Sequence, residues 1–261
     1  MSTITPETLS ELHTIDIHPF VTGSRLDIPY HLTSRIGIAK VADMQKRVLD
    51  EHTIEPIEII VGDDISGRVP TLITKRFLQL AQAGGHTETV PKTFFLASGI
   101  IRGLDVEARE RQNEIWTNNL CEQAARMFGS LAISRALIIT ELIGTGDSME
   151  RLTVALKSAG IEDVLGVTSL SGLHINSAPA ANRDRIAVGL EKSANQPLSH
   201  RHPRFEGRKS AELRHFLFHY ARIIYTQVFD EEPPAFREKP PLERKSFFGS
   251  IRQTLRKNKS R

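Results

Sequence analysis

Cysteine is almost missing from this sequence: 261 residues carry one, Cys121. A single thiol cannot close an internal disulfide, so burial and hydrogen bonding must hold the fold, and a reducing cytoplasm is the expected compartment. Cys121 follows Trp116 and Leu120 in a helical stretch with no adjacent His or Lys, which reads as a buried thiol and not a nucleophile. Long apolar runs are missing too. None approaches the roughly 18–20 residues that a membrane-spanning helix needs. The first twenty residues lack the basic-then-apolar order of a secretory signal. Aromatic residues make up 6% of the chain, yet 39% of it is apolar, enough for a substantial core at this length. Two nucleotide-binding signatures are absent: there is no Gly-rich loop ending in Lys-Ser/Thr and no G-x-G-x-x-G. There is no internal repeat.

Strand-like and helix-like segments alternate. A helix is predicted over 31–49, with Ile36, Ile38, Val41, Met44 and Val48 near one face. A strand follows at 57–61, a helix at 70–82 with Pro70 in its first turn, a Gly84-Gly85 turn and a strand at 93–96. A polar stretch at 98–112 precedes a helix from about 113 to 127. Further strands are expected at 136–141, 164–169 and 186–190, and further helices at 148–158 and 209–228. This alternation predicts an α/β fold, a parallel β-sheet flanked by helices on both faces.

The most informative segment is RALIITELIGTGDS at 135–148. Residues 136–139 are a continuous apolar run, as in a strand buried on both faces. Thr140 and Glu141 bring polar groups to its end. Gly144, Thr145, Gly146, Asp147 and Ser148 then offer backbone N–H groups where a helix begins, and the helix dipole favours an anion there. A carboxylate able to accept from ribose hydroxyls, beside a phosphate cradle, suits a sugar phosphate. An ordinary strand-turn-helix unit has the same outline.

This order resembles the signature of type I phosphoribosyltransferases: four apolar residues, two acids, two apolar residues and a small-residue loop. Thr140 stands where that signature has its first acid, and Gly144 where its loop has the first Ser/Thr. A second strand-loop-helix unit at 57–80 contains Asp63, Asp64, Ile65, Ser66, Gly67 and Arg68. It resembles the family's pyrophosphate loop, where Gly allows close approach and Arg can grip phosphate oxygens in fork geometry.

The resemblance implies displacement of pyrophosphate from C1 of phosphoribosyl pyrophosphate by a ring nitrogen, through a cation-like transition state. It implies that Glu141 meets the ribose hydroxyls, with Thr140 beside it. The loop at 144–148 would take the 5′-phosphate, and Asp64, Ser66, Gly67 and Arg68 the pyrophosphate. It also implies Mg²⁺ carried mainly by the phosphoribosyl pyrophosphate, so that no protein metal cage is expected. Residues 98–112 fall where the family carries a mobile hood, making Arg102, Arg109 and Arg111 candidates to close on the leaving group. Ser171, His174 and Asn176 could face the ribose or the acceptor. The alternative is a non-catalytic sensor or regulator on the same fold, which Thr140 favours.

Four histidines cluster late in the chain, His200, His202, His215 and His219, the last two at i, i+4. No Glu is set beside them as a base, and a structural or surface role is expected. Residues 1–30 read as an N-terminal extension, 31–229 as the α/β domain and 230–261 as linker and tail. The tail carries seven cations from Arg244 onward and no carboxylate, so without it the formal charge of +3 becomes −4. Phe247, Ile251 and Leu255 give it a short apolar stripe. Expected partners are the phosphoribosyl donor and a small-molecule acceptor, an anionic surface (nucleic acid, membrane or acidic protein) for the tail, and a second copy of the chain in a homodimer.

Overall fold

A computed structural model of the chain describes residues 35–63, 67–98, 105–143, 146–171, 185–191 and 210–235. Its elements are α1 (Arg35–Ile54), β1 (Ile59–Asp63), α2 (Arg68–Ala83), β2 (Lys92–Leu96), α3 (Val106–Phe128), β3 (Arg135–Ile143), α4 (Asp147–Ser158), β4 (Asp163–Ser171), β5 (Ile186–Glu191) and α5 (Ser210–Phe229). The five strands form one sheet in the order β2-β1-β3-β4-β5, every neighbouring pair parallel. The expected fold class is therefore present.

Alternation along the strands decides which helix covers which face. Ile60, Leu137, Ile139, Leu165 and Val167 point to one side, where they pack with α1, α2 and α5 through Met44, Val48, Phe77, Leu78, Phe216 and Tyr220. Ile59, Val61, Ala136, Ile138 and Val164 point to the other, against Leu120, Ala124 and Phe128 of α3 and Leu152, Ala155 and Leu156 of α4. The handedness of crossovers gives the same answer. The chain steps from β1 outward to β2 through α2 on one face. It then reverses through α3 on the other face to reach β3, and α4 continues in that direction to β4. The reversal leaves a crevice beyond the carboxyl ends of β1 and β3, where ligands bind in open α/β sheets.

Several boundaries differ from the sequence reading, each for a local reason. The first strand spans 59–63, not 57–61. The backbone N–H of Ile57 donates to Nδ1 of buried His52 (2.9 Å), while Gly62 and Asp63 pair with Phe95 and Leu96. α1 continues past 49 to Ile54. α3 starts at Val106, because Asp105 caps it by accepting from the Ala108 N–H (2.7 Å). Much of the expected hood is thus the exposed first half of a helix. β3 runs through Leu142 and Ile143, which pair with Leu170 and Ser171, so β4 also outlasts its expected end at 169. Residues 1–34 and 236–261 lie outside the described residues, and with them the extension and the tail.

Where the strands begin, charges are matched. Arg135, 5% exposed, meets Asp163 through Nε (2.6 Å) and Glu51 through Nη2 (2.7 Å), and its Nη1 donates to the carbonyls of Glu51 and Glu55. Arg185 also pairs with Asp163. Glu58 accepts from the Ser134 hydroxyl (3.0 Å) and from the N–H groups of Ser134 and Arg135. Burial alone would raise the Glu58 and Asp163 pKa values, but these donors and cations hold both below the usual carboxylate range. Nearby, His86 Nε2 and the Tyr225 hydroxyl converge on Glu231 (2.5 and 2.9 Å).

Candidate functional site

The crevice is built from the ends of two central strands. β1 ends in Asp63, 6% exposed, and the Gly67 N–H donates to the Asp63 carbonyl (2.8 Å). A Cβ on Gly67 would land on the Ile139 carbonyl oxygen and the Asp63 backbone. Glycine is required at 67 because the turn presses on both strands at once. Arg68 opens α2, with its guanidinium carbon 5.0 Å from the centroid of the Phe95 ring on β2. Asp64 and Ser66 lie outside the described residues.

On β3, Gly62 pairs with Ile139, so Asp63 and Thr140 follow one step further along adjacent strands. Thr140 and Glu141 are 5% and 7% exposed. Asp63 thus closes β1, while Glu141 lies two residues before the end of β3. Thr140 pairs with Thr168 of β4, whose hydroxyl donates to the Glu141 carbonyl (3.2 Å). Gly144 and Thr145 lie outside the described residues. Gly146 is left-handed, φ 92°, a conformation natural to glycine, and it precedes the first residue of α4. The first backbone bond of α4 runs from the Glu150 N–H to the Gly146 carbonyl (2.9 Å). The N–H groups of Asp147, Ser148 and Met149 thus precede the intrahelical ladder and face the helix entry. Asp147 and Ser148 form the first turn of α4, which begins one residue before the helix expected at 148–158.

Two cations approach α4 from α3 and from its own interior. Arg109 pairs with Asp147 (2.7 Å), whereas Arg111 pairs with Glu107 on the solvent face of α3 (3.6 Å) and does not reach the crevice. Arg102 lies outside the described residues. Arg151, 3% exposed, donates to the Ser98 carbonyl (2.9 Å), the Asn113 Oδ1 (2.6 Å) and the Ser148 Oγ (3.2 Å). Burial draws its pKa down, opposed by the carboxylates of Asp147 and Asp63.

Sequence reading included Asp63 in the loop at 63–68 without giving it a role, and did not single out Arg151. For Asp63 the signal was the one used for Glu141, a carboxylate closing an apolar strand. For Arg151 it was a charged residue among the buried positions Met149, Leu152, Ala155 and Leu156. Ser171 falls within β4, while His174, Asn176, His200 and His202 lie outside the described residues. The His215 and His219 rings meet edge to face, centroids 4.2 Å apart, on the helix at the opposite face from α4. Cys121 is half-buried on α3 and unbonded to another sulfur. No helix among the described residues is long and apolar enough to cross a membrane.

No protein-family profile and no curated protein matches the chain. Among solved structures it is similar to a hypoxanthine-guanine phosphoribosyltransferase from Schistosoma mansoni in complex with IMP. The identity is 14%, the match covers 64% of this chain and 67% of that one, and the TM-score is 0.35. It is also similar to a phosphoheptose isomerase from Francisella tularensis, at 15% identity, 74% and 85% coverage and a TM-score of 0.27. Both likenesses are distant and carry no argument about activity.

Proposed function

We propose that the chain is a phosphoribosyltransferase-like protein that binds phosphoribosyl pyrophosphate in the β1/β3 crevice. It transfers the phosphoribosyl group to a nucleobase-like acceptor. One observation carries the reading: the adjacent strands β1 and β3 carry the buried carboxylates Asp63 and Glu141 near their carboxyl ends, and β3 leads through a left-handed Gly146 into the first turn of α4. In this reading the loop at 144–148 takes the 5′-phosphate, Glu141 accepts from the ribose hydroxyls, and the turn carrying Gly67 and Arg68 takes the pyrophosphate. The C1–oxygen bond breaks with its electron pair leaving on pyrophosphate. A ring nitrogen of the acceptor forms the new C1–nitrogen bond and gives up a proton. In this reading Mg²⁺ comes in on the pyrophosphate.

Calorimetry with phosphoribosyl pyrophosphate and Mg²⁺, ribose 5-phosphate and nucleoside monophosphates tests the reading. Binding of the first two is expected, and no binding of either overturns it. The sensor alternative rests on buried Thr140, a hydroxyl where a second carboxylate would stabilise the cation-like sugar. Binding without pyrophosphate release in the presence of nucleobases would favour it. The basic tail is assigned to an anionic surface; a chain ending at Glu243 should keep ligand affinity and lose retention on anionic vesicles or nucleic acid at low salt.

A further inference from the structure

Arg151 is buried in the crevice wall, and the transfer scheme above gives it no part. Its guanidinium donates to three elements at once: the carbonyl of Ser98 just beyond β2, the side chain of Asn113 on α3, and the Ser148 hydroxyl in the first turn of its own helix. We propose that Arg151 is a positioning residue that turns the Ser148 hydroxyl into a donor toward the bound 5′-phosphate and holds the exit of β2 and the first half of α3 against α4. The donor role rests on the phosphate reading of 144–148; the holding role concerns the ligand-free fold alone.

The donor role follows from hydroxyl chemistry. A serine oxygen has one hydrogen to give and lone pairs to receive. Arg151 Nη2 occupies a lone pair at 3.2 Å, so the hydroxyl hydrogen must turn to another acceptor. Ser148 sits among the N–H groups that precede the helical ladder, and an anion that collects those groups lies within reach of its O–H as well. The holding role follows from shape. A planar fork meets three acceptors in fixed directions, and a lysine ammonium on a single flexible stem does not. The carboxylates of Asp63, at the end of β1, and Asp147, at the start of α4, compensate the buried charge, while Arg109 opposes it. One side chain thereby links the β2, α3 and α4 sides of the crevice.

Two experiments on the full-length chain test the two roles. The first is a double-mutant cycle on ribose 5-phosphate affinity with Ser148→Ala, Arg151→Lys and the pair. Each single variant should weaken binding about tenfold, as for a lost hydrogen bond to a charged group, and the pair little more than either. Losses that multiply to about a hundredfold would overturn the donor role. The second is amide hydrogen exchange without ligand. Arg151→Lys should speed exchange in residues 106–113 and 148–152 together while α1 and α5 keep their protection. Asn113→Ala, at an exposed position, should loosen the α3 segment alone and keeps the test open if the Arg151 variant fails to fold. Unchanged exchange in both segments would overturn the holding role. A parent chain that ignores ribose 5-phosphate overturns the phosphate reading and the donor role with it, and leaves the exchange result to judge the rest.

Discussion

At the edge where the strands begin, Arg135, Glu51, Asp163 and Arg185 satisfy one another, and Glu58 collects three donors from Ser134 and Arg135. At the edge where they end, Gly67 presses on the backbones of Asp63 and Ile139, and left-handed Gly146 leads into the first turn of α4. The first edge is closed: each charge there has its partner within the chain, and the arrangement contributes to stability. We read the second as the open edge because the first N–H groups of α4 precede the helical ladder there, with Arg151 bonded to Ser148 among them. Charge alone does not distinguish the two edges; what distinguishes the second is the helix entry at Gly146.

Substitutions at the two edges should separate stability from binding. The largest expected loss of stability is at the closed edge. Arg135→Ala removes the donor of the Glu51 and Glu55 carbonyls and the shared cation of Glu51 and Asp163, leaving Asp163 to Arg185 alone, a loss of about 1.5–3 kcal/mol as for hydrogen bonds to charged groups. Urea unfolding should show that loss, with ribose 5-phosphate affinity of the folded fraction unchanged. A fall in affinity as large as the fall in stability would mean that the edges are coupled.

At the open edge the balance reverses. Gly146→Val forces a branched residue into a left-handed conformation at a cost of roughly 1–2 kcal/mol. It should abolish measurable binding of phosphoribosyl compounds in a protein that still folds. Unaltered affinity would remove the 144–148 loop from the site. Glu141→Gln keeps the shape and removes the charge, so binding should weaken about ten- to hundredfold, the equivalent of about 1.5–3 kcal/mol for a charged hydrogen bond. Equal affinity would make that carboxylate structural.

The smallest effects are in pH. Glu58 and Asp163 ionise more readily in the fold than in the unfolded chain. Their contribution is complete above the unfolded carboxylate value of about 4 and fades as pH falls through the lower folded values. Glu58→Gln should flatten that acid limb without touching ligand affinity. Tyr225 behaves oppositely: burial and its bond to Glu231 raise it to about 12. Its contribution holds below pH about 10 and is lost from there up to the folded value. Tyr225→Phe should remove that alkaline dependence in a thermal-melt series.

The parallel sheet was legible because the strands at 136–139 and 59–61 are apolar without interruption, which only two-sided burial explains. The crevice was legible through Gly67 and Gly146, whose neighbours advertise turns and helix starts. α3 was read seven residues short because the charges at 107, 109, 110 and 111 resemble a loop; on an exposed helix they are the solvent face, and Asp105 was the available cap signal. Arg151 was missed for a different reason. Its partners Ser98 and Asn113 lie 53 and 38 residues away, and no local pattern reports a bond made across the fold.

The packing of α5 bears on how the chain is made. Phe216, Leu217, Tyr220 and Tyr225 cover the same core as Met44 of α1 and Phe77 of α2, and the Phe77 and Phe229 rings stack 6.0 Å apart. During synthesis, at about 5–20 residues per second, the helices that precede α5 emerge with one greasy face uncovered. That face waits for α5 to leave the ribosome. A nascent chain stopped before Phe229 would hold its sheet half-roofed and offer Phe77 and Leu78 to chaperones.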